Sequence, residues 1–555
     1  MRGGVPRAHI VLSSRAFLPG RLGPSGPGRR AGAPTAAAGE WKDRMSTPRE
    51  TELKLEFEAS DLAALSEHPL LGGDEREARL TSVYFDTEDR RLREAGFTLR
   101  VRRDGDRHVQ TVKAAGTGAG LFDRPEWEWP VDGAEPDLAR LGETPAGDVL
   151  GRKSVLRPLF SAGVERSTRV IARGGSRIEV ALDRGRITLL DGEGDRVAPI
   201  HELELELKDG SAADLFGLAR EIGASVPLRL GVMTKAERGY SLLAGRLDRA
   251  SKAEPVRLDP EASAGEAFQA VAHACLRHMR LNEAVLLDHR DADALHQLRV
   301  SLRRLRSAFS LFGDLVEDHR TPTIRAELRR LGEPFGQARN LDVFLASTLP
   351  AERARRPDEA GLLRLESHLE GERSRAYEAV GAVLRGEEWR LFLLDLIAWI
   401  DAGPWREAGA PQAARRDGPA RAFATEELER RRRQVKKRGR HLDELDPEAR
   451  HRVRIAAKKL RYGAEFFGSL YPKPKAVKRH RTFVKALADL QDCLGDLNDI
   501  ATAHTLTAAL TEGAADSAVF AAGLTAADME ERTARLLRAA AEAHAALIDV
   551  RPFWR

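Results

Sequence analysis

Residues 50–57, ETELKLEF, alternate charged and apolar side chains. At the two-residue period of a β-strand, the charges share one face and the apolar residues share the other. The charged face holds Glu50, Glu52, Lys54 and Glu56, and the opposite face holds Leu53, Leu55 and Phe57. A single strand of this kind usually has its polar side in water. The charged face therefore needs an explanation other than contact with water only if the pattern recurs in other strands.

Similar runs recur along the chain as far as residue 208, and they are separated by Gly, Pro and Asp. They predict strands at residues 81–86, 97–103, 108–113, 126–129, 177–183 and 202–208. Helices are predicted between them at residues 61–66, 136–150 and 212–222. The strands again place like charges on one face: Arg100 with Arg102, Glu126 with Glu128, and Glu202 with Glu204 and Glu206. The sequence predicts an α+β domain dominated by a sheet.

Strand faces made almost entirely of charged groups are unusual on a solvated surface, where Ser, Thr and Gln would be mixed in. A closed barrel with a charged interior and an apolar exterior covered by helices would use such strands. Glutamates inside it suit Mg²⁺ or Mn²⁺, and Arg and Lys suit phosphate oxygens. The pattern indicates a metal-bound polyphosphate ligand. Strand parity leaves open whether Glu126 and Glu128 face the interior or the outside.

The ordered series of motifs resembles the CYTH family, the triphosphate tunnel metalloenzymes, over residues 47–245. Glu50, Glu52 and Lys54 match its ExExK signature. Further matches are Tyr84–Thr87, Leu99–Arg102, Lys113, Glu126–Glu128, Asp183, Glu202–Glu206, Thr234, Lys235 and Arg238–Tyr240. ExExK is a weak signal by itself in a charged protein, whereas the ordered series is specific. The resemblance implies an eight-stranded antiparallel β-barrel, the triphosphate tunnel, that hydrolyses a phosphoanhydride bond of a triphosphate.

The resemblance also implies a role for each matching residue. The expected ligands of Mg²⁺ or Mn²⁺ are Glu50, Glu52, Glu204 and Glu206, with Asp183 nearby. The expected phosphate-binding residues are Lys54, Arg100, Arg102, Lys113, Arg166 and Lys235, and the expected catalytic set is Glu50, Glu52, Lys54 and Asp183. Arg169 is an alternative to Arg166, and Glu56 and Glu202 could equally be surface charges. Adenylate cyclases and thiamine triphosphatases share the family, so the fold alone does not name the substrate.

The C-terminal half contains an internal repeat. Residues 246–259 lack periodicity and predict a linker, whereas residues 260–550 show helical spacing in two parts, about 260–402 and 420–550. His296, Arg299, Arg303 and Arg306 of the first part recur at one constant offset as His451, Arg454, Lys458 and Arg461. A second shared element follows each set, at residues 336–340 and 495–499.

Each of these two sets forms a cationic stripe along a helix, beside an apolar stripe. No Glu or Asp lies within either stripe, and like charges one turn apart repel, so a bound polyanion is a better explanation than a solvated surface. The duplicated motif resembles the CHAD domain, a pair of four-helix bundles associated with inorganic polyphosphate. The resemblance implies that these eight residues bind polyphosphate. The basic runs 430–440 and 473–485 either extend this surface or are solvated helix ends.

The composition of the chain and the spacing of its cysteines bear on its cellular location. The net charge of +5 comes from residues 1–44, which carry eight basic and two acidic residues. Residues 1–46 are expected to be a disordered or spurious extension, with a transit peptide as the alternative. Cys275 and Cys493 lack disulfide or metal-binding spacing, and the apolar run 391–400 is too short to span a bilayer. These features favour the cytoplasm, with polyphosphate granules as a further location.

Three functions remain compatible with the sequence. The first is a metal-dependent inorganic triphosphatase whose helical domain binds polyphosphate. The second is a polyphosphate-binding protein without catalysis. The third is a nucleotide or thiamine triphosphatase or an adenylate cyclase, which fits the polyphosphate-type domain less well. Nucleic acid is disfavoured as a partner because the stripes lack interleaved aromatic residues and no DNA-binding motif is present.

Overall fold

The structure is a computed structural model, in which residues 48–555 form one compact unit. It describes residues 50–114, 121–150, 154–190, 196–407, 409, 412–510 and 516–555. The side chains of residues 50, 121–124, 499, 501–510 and 516–532 are not among those described. The predicted N-terminal extension, residues 1–46, lies outside the described residues.

An antiparallel sheet dominates the N-terminal half and contains ten strands within the described residues. They are β1 Glu50–Glu56, β2 Arg76–Asp86, β3 Phe97–Asp104, β4 Arg107–Ala114, β5 Leu121–Arg124, β6 Glu126–Val131, β7 Arg157–Arg173, β8 Ser176–Leu189, β9 Val197–Asp209 and β10 Arg229–Leu230. The strand order is β10-β1-β9-β8-β7-β2-β3-β4-β6, which is an open path. Strand β5 pairs with β1 at the far end of this path. The closed eight-stranded barrel stays a prediction.

All six strands predicted between residues 81 and 208 lie inside observed strands, whereas β5, β7 and β10 were not predicted. Strand β7 is the longest miss, at 17 residues. Its sequence mixes Ser, Gly and Thr with charged residues, so its alternation is weak. It forms because β2 and β8 pair with it along both edges. A sequence pattern does not contain such neighbours.

Strand β1 is buried on both faces. Leu53 and Leu55 are 0% exposed, and on the other face Glu52 and Lys54 are 8% and 3% exposed. The apolar face joins the main hydrophobic core together with residues of the later helix at 212–225. The charged face is therefore not the solvated side of an ordinary strand.

The helices of the N-terminal half are short, apart from α5, which lies against β1 and β9. Within the described residues they are α1 Leu62–Ser66, α2 Arg91–Glu94, α3 Leu138–Gly142, α4 Pro145–Leu150, α5 Ala212–Ser225 and α6 Lys235–Leu243. Helix α6 begins with a capping box in which the Thr234 side chain accepts from the Glu237 amide, 3.1 Å away. This cap fixes the start of α6 and, with it, the direction of Lys235.

The C-terminal half is all-helical. Its helices are α7 Ala264–Asp288, α8 Ala292–Leu311, α9 Gly313–Val316, α10 Thr321–Arg330, α11 Glu333–Val343, α12 Leu349–Arg355, α13 Ala360–Arg385, α14 Glu387–Ala402, α15 Ala413–Arg416, α16 Ala420–Arg438, α17 Pro447–Phe467, α18 Pro474–Leu510 and α19 Asp516–Asp549. The two cationic stripes lie on α8 and α17. Both helices begin at an Asp cap, Asp291 or Asp446, at the same offset as the stripes. The repeat thus includes the helix starts.

The two halves pack directly on each other. Helix α5 lies against α14, where Arg220 Nε is 3.0 Å from Asp395 Oδ1, and one hydrophobic core runs from Leu53 to Trp554. The predicted linker at residues 246–259 has irregular backbone. No helix within the described residues is both long and apolar enough to cross a membrane.

The linker is held against α7 by His278. Its Nε2 atom donates to the Ser251 carbonyl oxygen at 3.0 Å, and Asn282 Nδ2 donates to the same oxygen at 2.9 Å. The His278 side chain is 3% exposed. Burial, with the nearby Arg304, lowers the pKa of His278 from 6.5 to about 4.

This depressed pKa predicts a loss of stability in mild acid. Between pH 6.5 and 4 the unfolded chain binds a proton that folded His278 does not, so the free energy of unfolding falls as the pH drops. The loss from this residue is on the order of 3 kcal/mol. The melting temperature of His278→Gln should therefore fall less than that of wild type as the pH drops through this range. His319→Gln, which changes an exposed histidine, is the control. An equal dependence of melting temperature on pH in wild type and His278→Gln would contradict the assignment.

Candidate functional site

Three adjacent strands bring the charged residues of the N-terminal half together. Strand β1 lies beside β9, so that Lys54 is opposite Glu204 and Glu52 is opposite Glu206. On the far side of β9, Asp183 of β8 is opposite Glu202. These positions share one face because the side-chain period of each strand is two.

Two lysines lie among these carboxylates. We call the whole group the tunnel cluster, after the tunnel that the sequence predicts, and its members are Glu52, Lys54, Arg166, Asp183, Glu202, Glu204 and Lys235. Lys54 Nζ is 3.3 Å from Glu52 Oε1 and 3.1 Å from Glu202 Oε2, and it also pairs with Glu204. Lys235 Nζ, at the start of α6, lies 2.8 Å from Asp183, 2.6 Å from Glu202 and 2.7 Å from Glu204. Each ammonium group thus contacts three carboxylates.

Arg166 completes the tunnel cluster from β7. Its Nε atom is 2.7 Å from Asp183 Oδ1, and its Nη2 atom pairs with Glu204. Arg169, the alternative residue, instead pairs with Glu75 at 2.8 Å. The geometry therefore puts Arg166, and not Arg169, beside the carboxylates.

Three carboxylates of the cluster are arranged so that they could hold a metal ion. Oxygen atoms of Asp183, Glu202 and Glu204 all lie within 4.8 Å of one another. Asp183 and Glu202 are 0% exposed, and Glu202 Oε1 is buried without a hydrogen-bond partner. A hard divalent cation fits this set because it takes carboxylate oxygens and would satisfy the remaining Glu202 atom.

This set differs from the four predicted ligands. Glu204 belongs to it, whereas Glu52 contacts Lys54, Glu206 lies 2.6 Å from Lys208, and the Glu50 side chain is not among those described. The surface alternative for Glu202 is wrong, because its side chain is fully buried. Its position two residues before Glu204, on the same strand face, is the sequence signal that could have identified it.

The tunnel cluster holds its charges in spite of burial. Burial by itself would raise the pKa of Glu204, but Lys235, Lys54 and Arg166 outweigh it and hold that pKa well below the ordinary value. Burial likewise opposes the charge on Lys54, yet Glu202, Glu204 and Glu52 raise its pKa well above the ordinary value. The lysines therefore stay cationic and Glu204 stays anionic at neutral pH.

Strand β3, which carries Arg100 and Arg102, lies near the tunnel cluster. Burial and the positive charges of Arg100 and Arg166 lower the pKa of Arg102, so these three arginines face the same space. Lys113 Nζ is 2.8 Å from Glu126, and Arg102 Nη2 is 3.5 Å from Glu128. Glu126 and Glu128 thus share the face of the phosphate-binding candidates, while Trp127 and Trp129 pack with the opposite core.

A second charged site lies in the helical half, where the two stripes meet. Burial, together with repulsion from Arg303, Arg339 and Arg454, lowers the pKa of Arg299 to about 10. These four residues form what we call the arginine cluster. It joins Arg299 and Arg303 of α8 to Arg454 of α17. Arg339 comes from α11 and was not among the predicted binding residues, although it lies in the shared element at 336–340.

The remaining stripe residues are placed differently. Burial and Arg339 lower the pKa of His296, so this histidine lies near the arginine cluster. His451 Nδ1 is 3.1 Å from Asn498 Oδ1 of the second shared element. Glu465 is 2.9 Å from both Arg461 and Arg304, so Arg461 is balanced by an acid outside the stripe. Arg306 is exposed, and Lys458 is half-buried. The stripes are therefore not cationic to the same degree along their whole length.

Known proteins resemble both halves. The CYTH domain matches residues 48–240, and the CHAD domain matches residues 270–508. An inorganic triphosphatase of Haemophilus influenzae is 32% identical over 165 residues, or 29% of this chain and 46% of that protein, so the chain spans about half of that relative's length.

Two solved structures also align with the chain. The CHAD domain of the plant Ricinus communis is 33% identical and covers 54% of this chain and 97% of its own, with a TM-score of 0.47. PptA from Streptomyces chartreusis is 16% identical and covers 51% of this chain and 99% of its own, with a TM-score of 0.40. On the domain matches, the chain belongs to the CYTH family over residues 48–240 and to the CHAD family over residues 270–508.

Proposed function

We propose that this protein is a metal-dependent inorganic triphosphatase, a hydrolase that cleaves a phosphoanhydride bond of triphosphate at the tunnel cluster. The observation that carries the proposal is the mixed character of that cluster. Carboxylates suited to a divalent cation lie within 3 Å of ammonium and guanidinium groups suited to phosphate. The Haemophilus relative, named an inorganic triphosphatase, supports the same substrate class.

Asp183, Glu202 and Glu204 would hold the divalent cation, Mg²⁺ or Mn²⁺, with Glu50, Glu52 and Glu206 as further candidate ligands. When bound, such a cation supplies Lewis-acid stabilisation of the negative charge on phosphoryl oxygens and lowers the pKa of water. The cluster's own cations lower the pKa of Glu202 and Glu204, so these two carboxylates need no proton loss to accept the metal.

The basic side chains would bind the substrate. Lys54, Lys235 and Arg166 now pair with the carboxylates. With those carboxylates holding a divalent cation, the three basic side chains would be available to bind phosphate oxygens and would offset the charge that develops on the leaving phosphate. Arg100, Arg102 and Lys113 extend the phosphate-binding surface along β3 and β4. Phosphoryl transfer of this kind needs positioning and charge stabilisation rather than a protein nucleophile.

The helical half would bind inorganic polyphosphate at the arginine cluster. Arg303, Arg339 and Arg454 disfavour the positive charge of Arg299, and a bound polyanion would offset this repulsion. Such binding would keep a phosphate chain near the tunnel or hold the protein at polyphosphate granules. The expected cytoplasmic location stays a prediction from the spacing of the cysteines.

Phosphate release from four substrates tests the proposal. Purified protein should hydrolyse inorganic triphosphate faster than ATP, thiamine triphosphate or long-chain polyphosphate with Mg²⁺ or Mn²⁺, and a chelator should abolish the activity. Activity that is indifferent to the chelator would rule out the assigned metal site. Retention of polyphosphate without hydrolysis of any substrate would favour the non-catalytic scaffold, and formation of cyclic AMP from ATP would favour a cyclase.

A further inference from the structure

A line of charges, buried at Glu202 and Arg280 and partly exposed at Arg238 and Glu56, leads from the tunnel cluster into the helical half. Arg238 of α6 has its Nη2 atom 3.6 Å from Glu202 Oε1 and 2.6 Å from Glu56 Oε1. The other oxygen of Glu56 lies 3.2 Å from Nη2 of Arg280. Arg280 belongs to α7, the first long helix of the helical half. The signs alternate at each step, so every charge has an opposite neighbour.

Arg280 is firmly held in this position. Its Nε atom donates to the Leu230 carbonyl oxygen of β10 at 2.8 Å, and its Nη1 atom lies 2.8 Å from Glu283. Glu283 in turn pairs with Arg229 of β10 at 2.7 Å. Arg280 and Glu283 are 2% and 1% exposed. Buried side chains with this many contacts have few alternative orientations, so Arg280 presents a fixed charge to Glu56.

Arg238 interacts with two carboxylates, those of Glu56 and Glu202. Its contact with Glu56 is a hydrogen bond, whereas its distance to Glu202 is that of a longer charge interaction. Without Arg280, Glu56 would lose the fixed charge that holds it, and Arg238, which is hydrogen-bonded to Glu56, would lose its position beside Glu202. Arg280 is buried and the Glu56 side chain is only 25% exposed, so loss of Arg280 leaves the Glu56 carboxylate with one of its two counter-charges removed. A change at Arg280 therefore reaches Glu202 through two intermediate residues.

We propose that Arg280 is a positioning residue for the tunnel site, which acts through Glu56 and Arg238 on Glu202 and so couples the helical half to binding of the divalent cation. This inference rests on the proposed function, because it takes Glu202 as part of the metal site. It gives the helical half a second role besides binding polyphosphate. The CHAD portion completes the support of the CYTH site.

The test compares Arg280→Met with Arg220→Met in the full-length protein. Arg220 also joins the two halves by an ion pair, with Asp395, but it has no contact with the tunnel cluster. Mn²⁺ binding is followed by electron paramagnetic resonance of the free ion, without substrate. We expect Arg280→Met to weaken Mn²⁺ binding about tenfold, the scale of outer-shell effects at metal sites, and Arg220→Met to bind as wild type does. Arg280→Lys should recover part of the loss.

Kinetics provide the second measurement. With triphosphate, kcat of Arg280→Met should fall about tenfold, whereas KM at saturating Mn²⁺ should stay within about twofold, because the phosphate-binding cations are unchanged. Glu56→Gln should show the same losses, and the double variant should lose no more than either single one, as expected when one residue acts through the other. Losses that multiply in the double variant would overturn the proposal.

Mn²⁺ binding equal to wild type in folded Arg280→Met would also overturn it. If Arg280→Met does not fold, Arg280→Lys and Glu56→Gln decide the question by the same Mn²⁺ titration, and unchanged binding in both overturns it. The outcome is separable from the proposed function. Weakened Mn²⁺ binding in a protein that hydrolyses no triphosphate would support the positioning role and refute the activity, and the reverse pattern would refute the positioning role alone.

Discussion

Glu204→Gln is expected to lower kcat for inorganic triphosphate on the order of a thousandfold, the scale seen when one preorganised charge-stabilising group is removed from an active site. Glu204 contacts Lys54, Lys235 and Arg166. It also belongs to the three carboxylates that could hold a metal ion. One substitution thus removes a proposed metal ligand and a counter-charge for three proposed phosphate-binding groups.

The measurement is phosphate release at saturating Mg²⁺ and triphosphate, together with the melting temperature of each protein. Glu221→Gln is the matched control, because Glu221 is a half-exposed carboxylate that pairs with Arg173 at the surface of the same half. It should retain wild-type activity. A Glu204→Gln protein that is folded and within about threefold of wild type would contradict the assigned site, because a single oxyanion-type contact removed elsewhere costs far more.

Ion pairs within the tunnel cluster give its buried charged groups partners before any ligand binds. Lys54 and Lys235 lower the pKa of Glu202 and Glu204 in spite of burial, and Arg166 contributes at Glu204. Under the proposed function, ligand binding would exchange one set of ion pairs for another, so that the buried charges would keep partners. This explains how so many ionised groups can be buried without a ligand, and it links the stability of the fold to the chemistry of the site.

Strand parity predicted which residues of the tunnel cluster share a face within one strand, such as Glu52 with Lys54 and Glu202 with Glu204. The place of Asp183 beside them was implied by the family resemblance alone. Alternation does not state which strands are neighbours, so the opposition of Lys54 and Glu204 and the inclusion of Glu202 required the structure. The same limit explains the missed strand β7, whose partners define it.

The long-range contacts could not be predicted for a related reason. Arg280 lies on the helical half, 224 residues from Glu56 in sequence, and helical periodicity alone assigns it only to a buried face of α7. Arg339 of the arginine cluster was visible within a repeated element, but its approach to Arg299 depends on how α11 packs on α8. Helix packing is set by side-chain interdigitation, which a one-dimensional pattern does not contain.

The double variant Arg299→Met with Arg454→Met is expected to weaken binding of long-chain polyphosphate about a hundredfold at low salt. Each arginine would make charge-assisted hydrogen bonds to phosphate, which contribute about 1.5–3 kcal/mol apiece. Methionine keeps an apolar stem of similar length, so packing around the two helices is largely retained. Binding is measured by titration with labelled polyphosphate at several salt concentrations.

Salt dependence distinguishes phosphate contacts from indirect effects. If both arginines neutralise phosphates, the slope of log affinity against log salt should become shallower by about 1.5, by analogy with single-stranded nucleic acids. Arg330→Met with Arg375→Met is the control, because it removes the same charge from exposed arginines paired with Glu327 and Glu372. The control should keep both the affinity and the slope of wild type.

Stability should move in the opposite direction to binding. Burial and the neighbouring arginines already lower the pKa of Arg299 to about 10, so its charge is unfavourable in the free protein. Removing Arg299 and Arg454 relieves that repulsion, and the melting temperature without ligand should rise or stay the same while polyphosphate affinity falls. Removal of residues that serve only packing would instead lower the melting temperature. A lower melting temperature with unchanged polyphosphate affinity would therefore show that the arginine cluster serves packing and not ligand binding.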